Sequence, residues 1–209
     1  MTERTRRTPT GAAVLQPQIT SAITEAVLDE LATQGYARLS MEAVAKRAGV
    51  GKSALYRRWP SKQDMVIAVL SQFSVPLAEV PDTGSLRGDL LATLHAVQDW
   101  LTHPRFATIL PDLTAEAMRN PALAAAIQAT IGEPRRALGA ATLRRAIDRG
   151  ELPADLNVEL ALDLAAAPVY WRLTVRQAPT EPNYLDQLAD HILRALDARP
   201  APPPAREPH

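Results

Sequence analysis

The chain has 209 residues, 46% of them hydrophobic, and its 23 Lys and Arg balance 23 Asp and Glu to a formal net charge of zero. That length holds one ordinary domain, or a small domain attached to a larger one. The absence of cysteine excludes disulfide scaffolds, thiolate zinc sites and cysteine nucleophiles. No run approaches the roughly 18 apolar residues of a membrane span, which leads to the expectation of a cytoplasmic protein with no membrane partner.

No segment alternates β-branched and aromatic residues between turns, so the fold class reads as all-α. A basic arm, 1–16, precedes a first helix from about Gln18 to Gln34. In that helix Ile19, Ile23, Val27 and Leu31 recur at helical spacing, and Gly35 follows as a stop. Ser40 is a good N-cap for a second helix, MEAVAKRA, whose inward face is Met41, Val44 and Ala45, and Gly49 ends it. A third short helix runs from about Lys52 to Arg58 and stops before Pro60, because proline lacks the amide that a helix interior requires. Ser61 caps a fourth helix carrying Met65, Val66, Val69, Leu70 and Phe73. After the turn-rich VPDTGS, five more helices are expected near 85–102, 105–119, 121–149, 157–178 and 182–198, with disturbances at Pro111, Pro134 and Pro168. The proline-rich end, 199–209, reads as a disordered tail.

Charge is unevenly placed along this array. Residues 1–62 carry ten Lys and Arg against five Asp and Glu, a net of +5, and residues 63–209 carry thirteen against eighteen, a net of −5. All three lysines, Lys46, Lys52 and Lys62, lie in the first part. Two short helices joined by a glycine-containing turn, the second basic and ending in aromatic residues, form the pattern of a helix-turn-helix. A helix fits the major groove if its exposed face carries small or hydrogen-bonding residues at its start, as Gly51, Lys52 and Ser53 do here.

The run LSMEAVAKRAGVGKSALYRRWPSKQDMVIAVL resembles the DNA-binding region of TetR/AcrR-type transcription regulators, and the likeness covers residues 18–73. Many members have histidine and phenylalanine before the proline, where this chain has Arg58 and Trp59. The resemblance implies a three-helix DNA-binding head, 17–62, and a larger ligand-binding and dimerisation body, 63–198, with about nine helices in all. It implies that Tyr56 and Lys62 meet phosphates. Gly51, Lys52, Ser53 and Arg57 would meet base edges or adjacent phosphate, and Ser40 and Arg47 would lie where the second helix meets the backbone. Arg57 is the stronger candidate for guanine, because its fork matches O6 and N7. Ala43, Ala48, Val50 and Leu55 are assigned to packing between the two helices, and Trp59 to the head's core. Arg4, Arg6 and Arg7 are candidates for a minor groove.

The resemblance also implies a homodimer in which the last two long helices pair with their copies. Their many apolar positions fit this, among them Leu160, Val169 and Val175 in one and Leu185, Ile192 and Leu196 in the other. A two-fold pair of recognition helices about 34–36 Å apart calls for a palindromic operator on double-stranded DNA. For a small-molecule effector in the body, the candidates are Trp100, Phe106, Leu110, Met118, Tyr170 and Trp171, with His95, His103 and Arg172 as polar contacts.

Enzyme chemistry finds no support. Asp99 with His103, and Asp155, Glu159 and Asp163, have helical ligand spacing, but neither set closes a metal site. His95 and His103 would stand about 12 Å apart on one helix. There is no HExxH, no phosphate-binding glycine loop and no GxSxG elbow. The expectation is therefore a non-enzymatic, cofactor-free regulator, most simply a repressor released by its effector. The alternative is a DNA-organising or scaffold protein with the same fold and no ligand response. A helical enzyme or carrier would lack the basic head.

Overall fold

Short polar side chains and glycines set where the helices of this chain start and stop. In the computed structural model, residues 12–74 and 82–199 are described, with side chains over 18–73 and 82–199. The helices are α1 (Ala12–Arg38), α2 (Met41–Arg47), α3 (Lys52–Tyr56), α4 (Lys62–Ser74), α5 (Leu86–Thr102), α6 (Phe106–Ala117), α7 (Pro121–Ile127), α8 (Glu133–Asp148), α9 (Val158–Tyr170) and α10 (Tyr184–Ala195). No strand occurs among the described residues. The hydroxyl of Ser40 accepts from the Ala43 amide at 3.1 Å and opens α2. Ser85, Asn120 and Asn157 open α5, α7 and α9 in the same way.

Proline accounts for the first of two irregular turns. A π-helical turn, Gln128–Gly132, joins α7 to α8, so the two form one rod and the described helices number nine. Pro134 lies just beyond this turn, and Pro168 lies just before a second one, Trp171–Val175. The Pro134 ring displaces the carbonyl four residues earlier, that of Thr130, and the wider i→i+5 turn there absorbs the misfit. α6 continues through Pro111 without a break. The first helix begins at Ala12, ahead of the sequence-based start, because it passes through Pro17. A missing amide that early costs one bond near a helix end, where few are formed. The basic arm's Arg4, Arg6 and Arg7 and the tail beyond Arg199 lie outside the described residues.

The chain divides into two units, Met1–Val69 and Leu70–His209, and the division falls inside α4. The core of the first is built from Ile23, Val27, Leu28 and Leu31 of α1, Val44 of α2, Leu55 of α3 and Met65, Val66 and Val69 of α4, all essentially solvent-free. Each such side chain contributes about 1.5–3 kcal/mol on burial. In the second unit α5 is central and packs on α6, α8, α9 and α10. Leu94, Ile109, Leu123, Ala146, Val169 and Ala189 are fully enclosed there.

A buried ionic network ties the start of α5 to the connection after α8. Asp89, with no exposed surface, accepts from the amide and hydroxyl of Thr83 at 2.7 and 2.8 Å, and Arg149 Nη2 stands 3.5 Å from its other oxygen. Glu151 binds Arg149 Nε at 2.5 Å and the Leu86 amide at 2.8 Å, while its carbonyl receives the Arg199 amide. Arg149 is held above the ordinary guanidinium value, chiefly by its bond to Glu151 and also by the Asp89 charge.

Candidate nucleic-acid interface

The turn between α2 and α3 decides how α3 is presented. Gly49 has φ +66, the left-handed region that glycine enters without strain. Its amide donates to the Lys46 carbonyl at 3.3 Å and the Val50 amide donates to the Ala45 carbonyl at 3.0 Å, which closes the end of α2. Leu55 then anchors α3 with no exposed surface, and Met41, Val44 and Ala45 are buried as their spacing requires. Ala43, Ala48, Val50 and Trp59 are half-buried.

With Leu55 inward, Gly51, Lys52, Ser53, Tyr56 and Arg57 all face solvent. Lys52 is bonded to Glu42 of α2, which lowers the Glu42 carboxyl and raises the Lys52 ammonium relative to their ordinary values. The same ammonium lies 5.9 Å from the Tyr56 ring centroid. The Arg57 side chain makes no hydrogen bond or ion pair among the described residues and is exposed to solvent. A Cβ added at Gly51 would meet only the Ser53 hydroxyl, at 3.8 Å, so nothing in the free protein requires glycine there.

The other three candidates have partners within the head. The Ser40 hydroxyl caps α2. Arg47 is bound at 2.7 Å by Glu30, a nearly buried carboxylate of α1. Lys62 Nζ donates to the Tyr36 carbonyl at 2.9 Å and sits 4.4 Å from the Tyr36 ring centroid. Arg58, the departure from the motif noted above, reaches Thr20 of α1 at 2.9 Å.

In the second unit the candidate effector residues do not form one group. Trp100, His103 and Phe106 do: the Phe106 ring lies 5.7 Å from Trp100, 5.3 Å from His103 and 6.1 Å from Phe73. Phe106 and Leu110 also line a cavity of about 200 Å³ with Leu101, Leu173, Thr174 and Gln177. His95 is exposed on α5, and Met118 is 84% exposed at the end of α6. Tyr170 and Trp171 are exposed, and Arg172 is engaged by Glu181 and the Pro179 carbonyl.

Two family models cover most of the chain: bacterial regulatory proteins of the tetR family match residues 23–69, and the tetracyclin repressor-like C-terminal domain matches 80–192. The chain belongs to the TetR family. A DNA-binding transcriptional repressor TetR of Mycobacteroides abscessus is 33% identical over 84% of this chain and 92% of its own length. An uncharacterized HTH-type transcriptional regulator of Mycobacterium tuberculosis is 31% identical over 88% of this chain and 90% of its own length. The crystal structure of the TetR family transcription regulator SCO0332 superposes with a TM-score of 0.69 at 32% identity, over 85% of this chain and 97% of that one. The family is one of DNA-binding transcriptional regulators and not of enzymes. None of the helices is long and apolar enough to cross a membrane, among the described residues.

Two features of this TetR-family chain were not anticipated from its sequence. Glu159 and Asp163, read above for ligand spacing, both bind Arg136. Its neighbour Arg135 has no such partner among the described residues: its Nη1 is shut off from solvent without a hydrogen bond, and the Trp100 ring lies 4.5 Å from the guanidinium carbon. Burial pulls Arg135 below the ordinary guanidinium value with no anion to offset it. A buried charged donor left unpaired costs upwards of about 1–3 kcal/mol, and a ring face returns only about 0.5–2 kcal/mol. The available signal was periodicity, since Arg135, Gly139, Thr142 and Ala146 lie on one face of α8.

Proposed function

We propose that this TetR-family regulator is a cytoplasmic repressor that binds a palindromic operator as a homodimer and leaves it when a small molecule binds the body. The observation that carries the DNA part is the outward set Gly51, Lys52, Ser53, Tyr56 and Arg57 on a helix whose Leu55 is wholly buried. Arg57, free of partners among the described residues, is assigned to a guanine edge. Tyr56 and Lys62 are assigned to phosphates, with the ammonium of Lys62 keeping its carbonyl contact and offering a further proton. Ser40 and Arg47 position α2 against the backbone. Lys52 exchanges Glu42 for DNA.

The dimer reading is supported by large apolar side chains left exposed along α9 and the turn after it. Leu160, Trp171 and Val175 are 55%, 57% and 51% exposed, and Tyr170 lies beside them. Most other apolar positions of α9 and α10 serve the subunit's own core, including Val169, Leu185, Ile192 and Leu196. The interface proposed here is therefore narrower than the full faces of the two helices. Release follows from a population shift, in which an effector acts only through its difference in affinity for the DNA-binding and released states. Trp100, His103, Phe106 and Leu110 are the effector residues that the aromatic group and the cavity support.

The test is fluorescence anisotropy with the duplex flanking the protein's own gene, at two salt concentrations, with excess non-specific competitor. Nanomolar, competitor-resistant binding is expected, within the range of about 10⁻⁸–10⁻¹¹ M typical of specific sites. Trp171→Glu, checked by sedimentation, is expected to yield monomers that bind the duplex at least tenfold more weakly. Binding erased by competitor would instead support a DNA-organising protein, and a fully dimeric Trp171→Glu would remove the α9 interface.

A further inference from the structure

The unpaired arginine inside the second unit asks for a ligand of a definite chemistry. Arg135 and Arg136 are consecutive on α8, yet only Arg136 has acids. The nearest acid in sequence, Glu133, is bonded to Gln128 at 2.9 Å across the π-helical turn. Arg135 thus keeps a positive charge that no carboxylate answers, and arginine cannot shed its proton to escape the cost. The residue is half-buried, so one guanidinium nitrogen is enclosed while the side chain still reaches the surface.

The second unsatisfied atom beside it sharpens the chemistry. Trp100 Nε1 is also buried without a partner. An indole N–H and a guanidinium N–H are both donors with no capacity to accept, so no rearrangement lets them satisfy one another. What completes them is an acceptor-rich group, and the charge makes it an anion. Trp100 is part of the aromatic group with Phe106, His103 and Phe73, so the anion's neighbour is apolar and ring-lined. A π-helical turn immediately precedes Arg135, as such turns often do at binding sites.

We infer that Arg135 and the indole N–H of Trp100 form the anion subsite of the effector pocket, and that the effector is an organic anion with an apolar body. The inference deepens the ligand-responsive reading above and rests on it. Arg135 binds the anionic head by a charge-assisted pair, the Trp100 edge donates a further bond, and the aromatic group holds the body. Carboxylate and phosphate heads share this chemistry.

The test uses the full-length protein without DNA and matched probes of equal shape. Octanoate is compared with octanol, phenylacetate with 2-phenylethanol, and octyl phosphate forms a further arm, each titrated by calorimetry. At least one acid is expected to bind tenfold or more tightly than its alcohol, and Arg135→Gln is expected to erase that preference. In ¹H–¹⁵N spectra the Trp100 indole signal, assigned through Trp100→Phe, should shift with the acid and not with the alcohol. Octyl phosphate binding more tightly than octanoate would identify the head as phosphate, and the reverse as carboxylate. Equal binding of acids and alcohols, no binding of any anion, or a preference that survives Arg135→Gln would overturn the subsite.

A merely structural arginine is separated by stability. Arg135→Leu removes an unanswered charge and is expected to raise the melting temperature of the ligand-free protein by about 2 °C or more. A fall would overturn the inference. DNA binding measured on the same samples keeps the two readings apart. Operator binding without acid selectivity removes the subsite alone, and acid selectivity without DNA binding removes the regulator reading alone.

Discussion

Replacing Lys62 with methionine separates two duties assigned to one side chain. In the free protein its ammonium donates to the Tyr36 carbonyl at 2.9 Å, while the Ala37 carbonyl at 3.5 Å lies at the limit of bonding. A hydrogen bond involving a charged group contributes about 1.5–3 kcal/mol, and the half-buried position argues for the lower end. The Tyr36 ring at 4.4 Å adds about 0.5–1 kcal/mol. Methionine retains most of the stem packing, so Lys62→Met should destabilise the chain by about 2 kcal/mol, or ~4–8 °C in melting temperature for a chain of this size. The DNA duty has a different signature. Loss of one phosphate contact lowers the slope of log affinity against log salt by about 0.9. Thermal melting by circular dichroism and anisotropy at four salt concentrations read the two effects on one preparation. A melting temperature within 1 °C of wild type would refute the carbonyl and ring argument, and an unchanged salt slope would remove Lys62 from the phosphate contacts.

Gly51→Ala adds a methyl that makes only an ordinary contact with the Ser53 hydroxyl in the free protein and should leave the melting temperature unchanged, yet lower operator affinity at least tenfold if the backbone at Gly51 approaches a base edge. Unchanged affinity would place Gly51 away from DNA. Glu42→Gln frees Lys52 and removes a negative charge next to the recognition helix, so binding to a scrambled duplex should tighten several-fold at low salt. Weaker binding would mean that Glu42 orders Lys52 for DNA instead of competing with it. Asp89→Asn leaves Arg149 its Glu151 partner but faces it with a neutral group in a solvent-free position, and urea denaturation should register a loss of about 1–3 kcal/mol. A loss under about 1 kcal/mol would show the network to be dispensable.

Local chemistry made most helix ends legible. Ser40, Ser85, Asn120 and Asn157 cap helices close to where the sequence placed them, Gly35 breaks the helical path inside α1 three residues before its end, and Gly49 leaves it after α2. The misreadings share a cause, namely that a local rule was overridden by neighbours the sequence does not name. The sequence starts the first helix at about Gln18, yet the helix continues back through Pro17 to Ala12. Val169 and Val175 looked equivalent on one apolar helix, yet one is wholly enclosed and the other half exposed. Periodicity cannot tell a subunit's own core from a surface left for another chain. In the head, exposure of the recognition residues followed from the position of Leu55, but the bonds from Lys62 to Tyr36 and from Arg47 to Glu30 join residues far apart in sequence. Arg135 was passed over because charged residues are seldom enclosed. That rarity is what makes it informative once its surroundings are known.

The π-helical turn Gln128–Gly132 gives the second unit a place to hold an extra residue. Such a turn fits about one residue more than an α-helical turn, whereas each residue added to a regular α-helix advances the side-chain direction by about 100°. Because the wide turn already takes up the surplus, deleting one residue there would restore regular winding and leave the residues from Glu133 to Asp148 on their present faces relative to α7. A codon lost between the turn and Arg135, where the helix is regular, would instead put Arg136 in the inward place. Relatives that differ there would be expected to differ in the ligands they recognise.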